Sequence, residues 1–482
     1  MQTDLWSFPT MHSAVRTSFA APLLALGVLG LLQNAHAQMT PELRAKIDAA
    51  ASKVLEQTGV PSASVGIVMD GRVVMTAAYG DARLSPEVKA APAMSYPVGS
   101  ISKQFTATAV LLLVQDGKLS LDDTVSKFFP ELTRSNEVTL RELLSHTSGY
   151  EDYAPQDYTI PLWIKPTRPL DVVHEWAEKP LDFDPGTQWQ YSNTNFVLAA
   201  LIVEKASGMP YWQFLETRVL QPAGLGDVLN LDTDRTRIEP LGYMRNALGP
   251  LRPAAMEGPG WYFGDASLGM PVADLLKWDI SIMDRTLLTP ASYATFETEV
   301  TLKEGKGTGY GLGVEVGTRN GHRFVAHSGE VGGFVAQNTI LPDDRIAVAV
   351  LTNEEASSAA GEIARAIVPL LLPSAAAASK PDAGKAAAEA QAKSILNGLI
   401  GGKIDRSLFT EDGNFYFSGE AIGDFRSSLK PLGAIEELSQ SAVELRGGMT
   451  FRVFTVRFSG KTLTLTTYTM PDGKLEQYLV GP

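Results

Sequence analysis

The sequence contains no cysteine. That excludes disulfides, thiolate nucleophiles and zinc–cysteine sites. Positive charge is in deficit: 41 Lys plus Arg stand against 54 Asp plus Glu, a net −13. Such a balance argues against a nucleic-acid partner. Long apolar runs are missing too. Phe19 to Leu32 is an uncharged apolar stretch of 14 residues, short of the ~20 that a spanning helix needs. What is present is an ordinary globular composition, 44% hydrophobic, which excludes disorder of the whole chain. The 482 residues allow two or three domains.

Residues 1–37 read as a secretory signal. Arg16 precedes the apolar run, and Ala35-His36-Ala37 supplies a small-x-small cleavage pattern, with the cut after Ala37. Asp4 and Trp6 fit a signal poorly, so the choice between Met1 and Met11 as start stays open. The competing reading is an uncleaved membrane anchor. The expectation is an exported chain, periplasmic or secreted, with no integral membrane span after cleavage.

Further along, Thr40-Pro41 opens an amphipathic helix, since Thr can cap and Pro suits the first turn. Residues 62–69 alternate like a strand, Asp70-Gly71 signals a hairpin, and Arg72 to Tyr79 returns. From about 100 to 300 the chain reads as mostly helical, with a capping box at Thr139 and Glu142. Strands return at Tyr310 to Thr318, Arg323 to His327, Phe334 to Leu341 and Ile346 to Thr352, and a helix follows at Ala359 to Leu371. The fold class expected is α+β: an antiparallel sheet flanked by helices, built from both ends of the domain, with a large helical subdomain inserted. Residues 38–372 form that domain, 373–390 an Ala, Ser, Lys and Pro-rich linker, and 391–482 a small C-terminal α+β domain.

Three motifs carry chemistry. Ser100-Ile101-Ser102-Lys103 places a hydroxyl and an amine at i and i+3, one face of a helix that starts at or just before Ser100. A neighbouring amine that can lose its proton activates a serine. A second copy, Ser427 to Lys430, reads as chance on a surface helix. Tyr191-Ser192-Asn193 offers a phenol as proton shuttle and an amide as orienting group. His327-Ser328-Gly329 closes a strand before Glu330, with Gly allowing close backbone approach.

In this order the three motifs resemble the serine β-lactamase and penicillin-binding superfamily, in its branch of class C β-lactamases, DD-peptidases, D-aminopeptidases and esterases. Val98 to Thr106, Leu143 to Gly149, Pro185-Gly186 and Tyr310 to Gly313 add local resemblance, and together they cover roughly residues 41–372. The resemblance implies Ser100 as acylated nucleophile, Lys103 as base or electrostatic support, and Tyr191 as proton shuttle. It implies Asn193, His327, Ser328 and Gly329 at the substrate, and the backbone N–H groups of Ser100 and Glu330 as oxyanion hole. No metal and no organic cofactor is implied.

The chain departs from class C β-lactamases where His327 replaces Lys. A histidine is mostly neutral at pH 7 unless its site raises its pKa, so efficient β-lactam hydrolysis is not expected. His146 reads as a shaper of the active-site rim rather than a triad member. Tyr150, Tyr153, Tyr158 and Trp163, or Trp261, Tyr262 and Phe263, could line the cleft or pack loops. The C-terminal pattern resembles cystatin-like or nuclear-transport-factor-like domains. Its role is open between packing over the cleft, dimer formation and binding cell-wall material. Oligomeric state is open as well. The first expectation is a peptidase on D-amino-acid, peptidoglycan-type substrates. The alternatives are a carboxylesterase, a weak β-lactamase on the same residues, and a non-catalytic cell-wall-binding protein.

Overall fold

The computed structural model describes residues 39–372, 384–446 and 449–482. The signal reading of 1–37, residues 373–383 of the expected linker and Gly447-Gly448 lie outside the described residues. No helix among the described residues is long and apolar enough to cross a membrane.

Helix α1 (Pro41–Thr58) starts where Thr40 accepts a hydrogen bond from Leu43 N and stops at Gly59, whose φ of 74° breaks the helix. Strands β1 (Ser62–Met69), β2 (Arg72–Leu84) and β3 (Glu87–Lys89) follow, then the short β4 (Tyr96–Pro97). The insertion contains helices α2 (Ser102–Gln115), α3 (Leu140–Leu144), α4 (Pro169–Ala177), α5 (Asn193–Ser207) and α6 (Tyr211–Leu215). Short strands β5 (Leu229–Asn230), β6 (Tyr243–Met244), β7 (Arg252–Pro253) and β8 (Leu268–Met270) come next, then α7 (Val272–Met283) and α8 (Pro290–Phe296). Strands β9 (Glu315–Arg319), β10 (His322–Val331), β11 (Phe334–Leu341) and β12 (Ile346–Thr352) and helix α9 (Ala359–Leu371) complete this part.

The main sheet runs in the order β3-β2-β1-β12-β11-β10-β9 with antiparallel pairs throughout, so β1 from one end of the fold pairs with β12 from the other. Both central strands are buried along their whole length. Val65 and Ile67 of β1 pack with Ile47 and Val54 of α1 and Ile363 of α9. The opposite face carries small residues, and an added Cβ at Gly66 would lie 2.8 Å from both Leu276 and Val272. Glycine there lets α7 settle on the sheet.

Two expectations are corrected. Residues 100–300 are not mostly helical: short helices alternate with long loops and small strand pairs. The Pro- and Gly-rich runs around 240–260 favour turns over helix, and buried rings such as Tyr153, Trp163 and Trp261 hold the loops. The strand expected from Tyr310 begins at Glu315. Gly313 instead rests on α2, where a Cβ would lie 2.7 Å from the Lys103 carbonyl.

Under the sheet, the fully buried Asp279 of α7 accepts a hydrogen bond from Asn338 Nδ2 of β11 at 2.7 Å. Burial pushes its carboxyl up to about 8. The fold therefore keeps a proton that the unfolded chain releases near pH 4, and stability falls as pH rises from there to about 8. Asp279→Asn should flatten that part of the curve. Melting temperatures of wild type and variant at pH 5 and pH 8 check it, and equal losses in the two proteins would refute it.

The C-terminal part is a four-stranded antiparallel meander, β13 (Glu437–Arg446), β14 (Met449–Phe458), β15 (Lys461–Thr469) and β16 (Leu475–Gly481). Helices α10 (Lys385–Ile400), α11 (Glu411–Tyr416) and α12 (Gly419–Leu429) accompany it. Helix α10 begins inside the stretch read as linker. The unit has its own core, with Leu396, Leu399 and Phe425 packed on Phe454, Val456 and Leu465. It docks on the rest of the chain. Asp157 N donates to Gln477 Oε1 at 2.7 Å, Gln477 Nε2 donates back to Asp157 Oδ2 at 2.9 Å, and Arg252 pairs with Asp424 at 2.6 Å.

Candidate active site

Ser100 sits in a single 3₁₀ turn, Gly99–Ile101, that leads into α2. Lys103 lies one turn on, fully buried. Its Nζ is 2.8 Å from Ser100 Oγ, 2.7 Å from Asn193 Oδ1 and 3.2 Å from the Asp265 carbonyl. The i, i+3 spacing thus brings amine and hydroxyl together.

Asn193 opens α5. Asp152 Oδ1 accepts from its backbone N at 2.9 Å and from its Nδ2 at 3.0 Å, and Nδ2 also donates to the Ala154 carbonyl at 3.1 Å. With both amide protons engaged, Oδ1 is turned to the lysine. The Tyr191 ring centroid lies 4.9 Å from Lys103 Nζ. The same ring packs on His146 at 4.2 Å between centroids. His146 is fully buried at φ 58°, and its Nδ1 accepts from Ser192 N at 3.1 Å. It holds the Tyr191 loop in place.

The third motif lies on β10. His327 is buried, and that burial, aided by the Lys103 cation, pushes its pKa down to about 3. It is neutral at pH 7. Its Nδ1 donates to the Ser328 carbonyl at 2.5 Å, so Nε2 accepts from Tyr310 Oη at 2.7 Å. Both ring nitrogens are engaged inside the protein. The polar group that this motif presents to the cleft is the hydroxyl of Ser328, which is exposed. At Gly329 an added Cβ would lie 1.9 Å from the Val98 carbonyl, and at Gly99 (φ 52°) it would lie 2.5 Å from Glu330 N. Two glycines therefore let the strand edge press against the serine turn, setting Glu330 N–H beside it.

Ser100, Tyr191, Asn193, His327, Ser328 and Gly329 all line one cleft of about 520 Å³. Tyr153, Tyr158 and Trp163 contribute to its walls, as do Trp261 and Tyr262, while buried hydrogen bonds also tie Tyr153 and Trp261 into the loops. Phe263 instead packs on Tyr211 at 5.0 Å. Six carboxylate residues line the cleft, Asp157, Glu257, Asp265, Glu315, Glu330 and Glu355, and no Lys or Arg among the described residues does. Burial pushes Glu355 up to about 8, and raises Glu257 and Asp265. No cluster of metal-ligating side chains occurs among the described residues.

Asp152 and Asp265 were not legible as site residues. They sit in irregular loops, where no periodicity signals which side chain turns inward. Phe451 and Tyr468, from the C-terminal sheet, also line the cleft, and nothing in their local sequence sets them apart.

The Beta-lactamase family model matches residues 47–371. The chain belongs to the beta-lactamase family. Within that family it is 30% identical over 275 residues to penicillin-binding protein 4* of Bacillus subtilis (strain 168), covering 54% of this chain and 61% of that relative. Less than two thirds of the relative's length is therefore matched. Among solved structures, a D-stereospecific amidohydrolase from Streptomyces sp. aligns with a TM-score of 0.57 at 26% identity, over 69% of this chain and 99% of that one. An octameric penicillin-binding protein homologue from Pyrococcus abyssi aligns with a TM-score of 0.60 at 22% identity, over 91% of this chain and 99% of that one, a likeness of fold that extends into the C-terminal part.

Proposed function

We propose that this beta-lactamase family protein is a serine hydrolase that forms an acyl-enzyme on Ser100 and cleaves amides of D-amino acids. The observation that carries this reading is Lys103 Nζ lying within hydrogen-bond distance of both Ser100 Oγ and Asn193 Oδ1, two residues that line the cleft, with the lysine itself buried behind them. With its amine deprotonated, Lys103 takes the Ser100 proton as Oγ attacks the carbonyl carbon. The N–H groups of Ser100 and Glu330 receive the oxyanion. Tyr191 passes the proton to the departing amine, and water then releases the acid and restores Ser100. Ser328 orients the substrate.

No Lys or Arg among the described residues lines the cleft, and His327 is neutral, which disfavours substrates that need a fixed cation for a carboxylate, penicillins among them. A D-amino acid amide makes no such demand. The likeness to a D-stereospecific amidohydrolase supports the same choice. The Arg16 to Ala37 pattern supports an exported enzyme.

Hydrolysis of D-alanine and L-alanine p-nitroanilides by the purified protein tests the substrate class. The D isomer is expected to give at least about tenfold higher kcat/KM, the discrimination a shaped pocket supplies. Equal rates, or an L preference, would overturn it.

A further inference from the structure

The C-terminal sheet holds two aromatic side chains that its own core does not use. On β14 the alternation sends Phe454, Val456 and Phe458 into that core, where they meet Leu463 and Leu465 of β15. Phe451 stands on the other face. Its direct cross-strand partner is Tyr468, and the two rings lie 4.8 Å apart, tilted at 34°. Tyr468 is only 2% exposed although it faces away from the core of its sheet. Phe451 is half-buried, and both residues line the cleft that holds Ser100.

Their place there is fixed from outside the sheet. The Asp157–Gln477 pair, the bond from Tyr158 Oη to the Glu476 carbonyl at 3.0 Å and the contact between Gln156 and Glu476 join β16 to the cleft rim. The Tyr158 ring adds contact with Tyr416 of α11 at 5.2 Å. Asp157 and Tyr158 themselves line the cleft, so these bonds tie the sheet directly to the cleft wall.

We propose that Phe451 and Tyr468 are specificity residues of the hydrolase: they form a wall of the cleft that receives an apolar or aromatic group of the substrate. This rests on the reading of Ser100 as nucleophile. Phe451 leaves part of its ring surface open inside an aromatic-walled cleft, the usual means of binding such a group, and the buried Tyr468 backs it. The C-terminal part is then a component of the substrate site and not an appended module.

The test uses the whole chain and two phosphonofluoridates that differ only in carrying an ethyl or a phenylpropyl group. In either reaction Ser100 Oγ displaces fluoride and its proton passes to the base. Intact mass against time yields a second-order labelling rate for each probe. Phe451→Ala should lower the phenylpropyl rate about tenfold and the ethyl rate by no more than about twofold, and Phe451→Leu should recover most of the loss. Equal change with both probes, or no change with either, would overturn the proposal. No labelling of the wild type at Ser100 would overturn the hydrolase reading and this one together. Labelling of the wild type without discrimination by the variants would overturn this one alone.

Discussion

Ser100→Ala is expected to cut hydrolysis by about 10⁴- to 10⁶-fold, the loss seen when the nucleophile of a serine hydrolase is removed. The reason is local. Ser100 Oγ lies 2.8 Å from Lys103 Nζ, in a turn whose backbone is set by two glycine contacts rather than by the serine side chain. Alanine keeps the turn and removes the hydroxyl proposed to carry the acyl group. Circular dichroism and melting temperature should stay close to wild type, since the side chain is half-buried and small. Covalent labelling by a fluorophosphonate should disappear. A variant that still hydrolyses at more than about one hundredth of the wild-type rate would place the nucleophile elsewhere.

The second large effect is expected at Lys103. Its amine is fully buried and faces three acceptors, Ser100 Oγ, Asn193 Oδ1 and the Asp265 carbonyl. Lys103→Met keeps the length and bulk of the chain and removes the proton acceptor. Acylation should slow by about 10³- to 10⁵-fold, a base and its electrostatic contribution together. The fold should lose some stability as well, about 1–3 kcal/mol for each buried acceptor stranded. Lys103→Arg separates the two roles. A guanidinium does not deprotonate in a protein, so arginine cannot serve as base although it keeps a cation. Burst kinetics with a chromogenic ester read the acylation step directly. If Lys103→Arg acylated as fast as wild type, the lysine would be an electrostatic support and not the base.

Both predictions rest on residues that were legible without coordinates, and the reason is spacing. Ser100 and Lys103 are three apart, and a helical turn brings such a pair together whatever the rest of the chain does. Thr139 and Glu142 form their capping box for the same local reason. The hairpin at Asp70-Gly71, with both residues at positive φ, is equally local. The main sheet followed from alternation in 62–79 and 323–352. The misreading of 100–300 as mostly helical has the opposite origin. There the loops are held by distant side chains, as where Tyr153 Oη donates to the Trp261 carbonyl at 2.9 Å and Trp261 Nε1 to the Lys165 carbonyl at 2.7 Å. Propensity within a window does not register such partners.

By itself, then, the sequence determined the family, the order of its three motifs and the pairing of Ser100 with Lys103, because these depend on short spacing and on residue type. Tertiary structure decided the rest. It turned the Asn193 amide through Asp152, a residue of a distant loop, and closed both nitrogens of His327 with Tyr310 and its own neighbour's carbonyl. It also carried Phe451 and Tyr468 from the far end of the chain into the cleft. The physical reason is that a binding surface forms where separate elements pack. Which side chains meet there is set by the registers of the sheets and the contacts between units, and neither is written in any one stretch of chain.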